Sequence, residues 1–87
     1  MHKPTAIQDL CTDILHHPLI FDQEARVTLC ISAGFIEEDL TRKNSMDWYT
    51  HSLSELAHYI REEIIFCSQE TQDIVFFLLM EFPEIVH

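Results

Sequence analysis

Glycine is almost missing from this chain. A single glycine in 87 residues leaves no material for a phosphate-cradling loop or a dinucleotide fingerprint, both of which need backbone free of a Cβ. Basic residues are scarce as well: five Lys and Arg stand against fifteen Asp and Glu, for a formal net charge of −10. Such a charge repels phosphate backbones and anionic membrane surfaces and attracts basic protein surfaces, so direct binding of DNA, RNA or membranes is not expected. The imbalance is uneven. No Lys or Arg follows Arg61, while Glu62, Glu63, Glu70, Asp73, Glu81 and Glu84 all lie beyond it.

The three cysteines, Cys11, Cys30 and Cys67, form no CxxC pair. An odd, widely spaced set signals neither a disulfide framework nor a zinc ribbon, and each cysteine sits among apolar residues, so buried free thiols in a reducing compartment are expected. Long hydrophobic runs are missing too. The longest, from Ile74 to Met80, is far short of the ~20 residues of a membrane helix, and no signal-peptide core precedes it, which points to the cytoplasm. GxSxG, HExxH and Walker patterns are absent. Neither an enzyme nor a bound cofactor is expected.

What remains is apolar and acidic. Hydrophobic residues make up 47% of the chain, enough to order one domain spanning residues 1–87 and to leave some apolar surface for a partner or a second copy. The patterning predicts an all-α bundle of about four helices, roughly 6–15, 23–33, 46–67 and 69–82. Thr5 and Gln8 have capping-box spacing ahead of Ile7, Leu10, Cys11, Ile14 and Leu15, and Pro18 disfavours helix in the residue before it. Asn44 or Ser45 starts a long third helix whose apolar stripe is Tyr49, Leu53, Leu56, Ala57, Ile60, Ile64 and Cys67. Ser68, with Glu70 and Asp73 in the first turn, caps the fourth, which Pro83 stops.

The second helix is ambiguous. Asp22 is a good N-cap, yet Val27, Leu29, Ile31, Ala33 and Phe35 alternate with Thr28, Cys30, Ser32 and Gly34, as a strand at 26–35 would. A lone strand has nothing in this chain to pair with, so helix is preferred, with Gly34 as a left-handed C-cap. Glu37, Glu38 and Asp39 then form a solvated acidic triplet suited to a basic partner.

Three sets of residues are candidates for function. His51, Glu55, His58 and Glu62 recur at i, i+4, i+7 and i+11, almost opposite Leu53, Ile60 and Ile64, which makes them a wet stripe. Trp48, Tyr59 and Phe66 run beside it. Aromatic rings edged by carboxylates compose a protein contact surface, so Trp48, Glu55, Tyr59 and Glu62, with the Glu37, Glu38 and Asp39 triplet, are the expected partner-binding residues. Two Glu-x-x-His pairs, Glu55 with His58 and Glu84 with His87, have the spacing used in di-iron carboxylate bundles. One faces outward and the other follows Pro83, which makes metal the weaker reading.

The expected function is a small acidic module that occupies a basic macromolecular partner, such as a nuclease or other nucleic-acid-binding protein, and inhibits it. Immunity proteins, antitoxins and phage inhibitors of defence complexes work in this physical way. The alternative is a helical homo-oligomer, most simply a dimer, with a structural, regulatory or metal-handling role. It would associate through Ile74, Phe76, Phe77, Leu79 and Met80 of the last helix, which is apolar all round.

Overall fold

The computed structural model describes residues 3–16, 22–41 and 48–81. Four helices account for most of them: α1 (Lys3–His16), α2 (Asp22–Asp39), α3 (Leu53–Glu63) and α4 (Gln69–Met80), with 3-10 turns at Trp48–Thr50 and Ile64–Phe66. No strand occurs among the described residues. The fold is the expected all-α bundle, and residues 26–35 are helical throughout. α1 and α2 each pack against both α3 and α4, in a slab with principal extents of 33 × 32 × 17 Å. No described helix is long and apolar enough to cross a membrane.

The core follows helical spacing. Ile7, Cys11 and Ile14 come from α1, Ala25, Leu29, Ala33 and Ile36 from α2, Leu56, Ala57 and Ile60 from α3, and Val75 and Leu79 from α4, with Ile64 and Cys67 between the last two helices. Each fully buried Ile or Leu contributes about 1.5–3 kcal/mol relative to exposure. The buried Ser32 and Gln72 side chains are paired locally. Ser32 Oγ donates to the Thr28 carbonyl at 2.9 Å. Gln72 Nε2 donates to the carbonyls of Cys67 (3.0 Å) and Ile64 (3.4 Å), satisfying acceptors where the chain turns from α3 to α4. The three cysteines are buried and form no disulfide.

Several boundaries differ from the sequence expectation, each for a local reason. α1 begins at Lys3, because Pro4 is tolerated in a first turn that needs no backbone donor. Thr5 therefore lies inside the helix and is not its N-cap, and Gln8 Nε2 reaches across to the Arg61 carbonyl in the last turn of α3 (3.0 Å). α2 runs straight through Gly34, which has no positive φ, to Asp39. The left-handed residue that ends it is Thr41 (φ 53°), whose N–H returns to the Glu38 carbonyl at 3.1 Å. The long third helix is divided: its first expected turn is the separate 3-10 turn Trp48–Thr50, and α3 starts only after Ser52. Tyr49, expected in the core stripe, is 57% exposed as a result. Residues 42–47, with the expected Asn44 or Ser45 cap, lie outside the described residues, as do Pro18, Phe82 and Pro83.

The strand-like alternation in α2 has a simple origin. Residues two apart on a helix lie about 200° apart, so Leu29 and Ala33 face the core while Val27, Ile31 and Phe35 face outward, 39, 44 and 37% exposed. Two i, i+4 rows interleave and imitate period two.

Candidate functional site

Ser52 organises the site. Its side chain accepts from the Glu55 N–H (3.1 Å) while the Glu55 carboxylate accepts from the Ser52 N–H (2.9 Å), a complete capping box that starts α3. The backbone hydrogen bond from Ser52, then its side chain and the nearby His51, hold the Glu55 carboxyl below the usual range. Glu55 is thus a fixed, ionised rim.

Arg26 of α2 holds the turn before it. One nitrogen, Nη1, donates to the carbonyl of Tyr49 (3.2 Å) and to that of His51, where a cation complements the exposed acceptors at the end of a helical turn. Trp48 is fixed from the same helix: its Nε1–H donates to Glu37 Oε1 (2.5 Å). The indole lies 4.6 Å from the Tyr59 ring at 43° and 5.0 Å from the His51 ring at 50°, both tilted contacts of the kind aromatic pairs prefer.

These residues open on a cleft of about 430 Å³ lined by Trp48, His51, Glu55, His58, Tyr59, Glu62 and Glu63. The four core members of the expected partner surface, Trp48, Glu55, Tyr59 and Glu62, therefore lie together. Phe66, the last of the expected aromatic stripe, is on the following 3-10 turn, 65% exposed and outside this cleft. His58 and Glu62 are exposed neighbours, with Nε2 and Oε1 3.8 Å apart.

The acidic triplet does not act as one face. Glu37 anchors Trp48, Glu38 is exposed, and Asp39 tethers the end of α2 to the start of α4. Asp39 accepts from the Ser68 N–H (2.8 Å) and the Ser68 hydroxyl (3.0 Å), and those bonds lower its pKa. Ser68 Oγ in turn accepts from the Thr71 N–H as the N-cap of α4.

The expected self-association residues also separate. Leu79 is fully buried in the chain's own core and is unavailable to another copy; Phe77 and Met80 are 75 and 42% exposed, and Ile74 and Phe76 are half-buried. As for metal, no group of three potential ligands converges among the described residues. Glu55 is held by Ser52, and Glu84 and His87 lie outside the described residues. Burial pushes the Cys11 thiol up to about 12, against the opposing pull of Arg61, which removes the thiolate a nucleophile needs.

Sequence reasoning missed Arg26, whose acceptors are 23 and 25 residues away, a separation no local pattern reports. Ser52 and Glu55, by contrast, were recognisable: S-x-x-E is the spacing that defines a capping box. Comparison with known proteins finds no matching family model, no curated relative and no similar solved structure, so the site is read from its own chemistry.

Proposed function

We propose that the chain is an acidic protein-binding module that seats basic side chains of a macromolecular partner in the Trp48 cleft and, by covering that surface, inhibits the partner. The observation that carries this reading is the composition of the cleft: the rings of Trp48 and Tyr59 with Glu55, Glu62 and Glu63 around them and no Lys or Arg among the described residues of the lining. Aromatic faces attract Lys and Arg through the ring quadrupole, and the carboxylates, within a chain of net charge −10, steer cations toward them. Immunity-protein-like, antitoxin-like and phage anti-defence roles all use this chemistry.

The test compares wild type with Glu62→Lys combined with Glu55→Gln. Glutamine still accepts from the Ser52 N–H, so the capping box survives while the charge is lost. Immobilised wild-type chain in extract of its native host should retain a protein of basic isoelectric point that high salt releases and that the double variant fails to hold. Retention of the same proteins by both, or of acidic ones, would defeat the proposal.

A second reading, self-association through α4, is favoured by Phe77, whose ring is 75% exposed on a helix otherwise rich in apolar residues. A dimeric mass at micromolar concentration, abolished by Phe77→Ser, would support it. A monomeric mass would end it.

A further inference from the structure

Helix α2 is apolar on two opposite sides. Ala25, Leu29, Ala33 and Ile36 fill the core, whereas Val27, Ile31 and Phe35 are over a third exposed on the opposite pole. Isolated exposed hydrophobes are ordinary, but a row at i, i+4 and i+8 is the pattern of a helix seam. The row is closed at both ends by exposed carboxylates on the same pole, Glu24 and Glu38. It also continues onto α4: Phe35 and Ile74 line a cleft of about 340 Å³ that Glu38 and Glu70 also line, and Phe77 projects one turn further along.

We propose that this outer face of α2, with Ile74 and Phe77 beside it, docks an amphipathic helix of a partner protein whose apolar row is bounded at each end by Lys or Arg. Charge selects this occupant over a second copy of the chain. Both ends of the α2 row carry carboxylates, so two copies paired in parallel or antiparallel set Glu against Glu at both ends, in an assembly whose net charge is doubled from −10. The one cation of α2, Arg26, is turned toward the carbonyls of Tyr49 and His51, and the outer pole of the helix carries no positive charge. A helix with basic ends meets attraction at both Glu24 and Glu38 and apolar contact between them. The positions from Glu24 to Glu38 span about 21 Å at the helical rise, which sets the partner segment at about four turns. The face shares no residue with the Trp48 cleft, so either site stands or falls alone.

The probe is a fluorescein-labelled synthetic helix of about 18 residues with one Leu row and two Lys at each end, beside a counterpart with Glu in place of every Lys. Fluorescence polarisation against the full chain should give micromolar affinity for the Lys peptide and binding at least about tenfold weaker for the Glu peptide. Val27→Ser combined with Ile31→Ser should weaken the Lys peptide by about tenfold or more. Both side chains are over a third exposed and outside the core, so the variant should melt lower yet keep the wild-type helical circular dichroism at the assay temperature. Ile31→Lys supplies an independent check, since it should repel the Lys peptide and recover the Glu peptide. Amide shifts should fall on Ala25–Glu38 and Ile74–Phe77. Equal affinity for the two peptides, binding that survives Val27→Ser/Ile31→Ser, or shifts confined to Trp48–Glu63 would overturn the proposal. So would a dimer that the same double variant converts to monomer, because a second copy would then own the face.

Discussion

Replacing Arg26 by methionine removes the guanidinium that grips two carbonyls at once while leaving an unbranched apolar stem along α2. Hydrogen bonds from a charged donor contribute about 1.5–3 kcal/mol each when shielded. Arg26 is half-buried and its bond to Tyr49 is exposed, so solvent reduces the pair to about 2 kcal/mol. For a domain of this size that corresponds to a fall in Tm of roughly 10 °C and in the urea midpoint of about 1–2 M. The loss should also be visible at one place. Trp48 is the sole tryptophan, and the turn that carries it is held by Arg26. In the folded variant the indole should gain water and its emission should shift to the red before any unfolding. Arg26→Lys, a point charge that satisfies one carbonyl at a time, should lose about half as much stability. A variant Arg26→Met with the wild-type urea midpoint would refute the assignment. One that is destabilised with unchanged emission would show that Arg26 supports packing generally and does not hold the cleft.

Three further outcomes follow from burial and from the titrating groups. Ile60, fully buried in the core on α3, should cost about 2–5 kcal/mol when cut to alanine, read from urea unfolding. Asp39 has a folded pKa below its ordinary 3.8, so its contribution is complete above that value and is lost as pH falls through the lower, folded one; Asp39→Asn should flatten the acid limb of stability against pH. Cys11 has the opposite sign: its pKa rises from 9.0 to about 12, so its contribution is present below 9.0 and fades as pH climbs toward 12. Native Cys11 should resist iodoacetamide at neutral pH by mass spectrometry, and Cys11→Ala should remove that part of the alkaline loss.

The bundle was legible because its helices are written in apolar spacing: Ile7, Cys11 and Ile14, or Leu56, Ile60 and Ile64, read as buried rows and are buried. The Ser68 cap is likewise local and was readable. What misled was competition between signals of equal local strength. Thr5 with Gln8 and Ser52 with Glu55 have the same spacing, but α1 already begins at Lys3, so the first pair lies inside the helix, and Gln8 bonds the Arg61 carbonyl instead. The wet side of α3 emerged from spacing alone, with Glu55, His58 and Glu62 all exposed. The cleft beside it did not, because it depends on the break at Ser52 and on Arg26 and Glu37 reaching from α2. The acidic triplet shows the same limit: composition places three negative charges together, and the three carboxylates nonetheless end in different hydrogen-bonding environments.

The one glycine and the one left-handed residue described have been dealt to the wrong addresses. Gly34 sits in mid-helix, where a Cβ would meet nothing within 4 Å, and Thr41, β-branched, occupies the φ of 53° that glycine adopts without strain. Gly34→Ala and Thr41→Gly should add about 1 kcal/mol at each position. The native chain is therefore tuned below the stability its own backbone permits, and a hardened version for structural work lies two codons away.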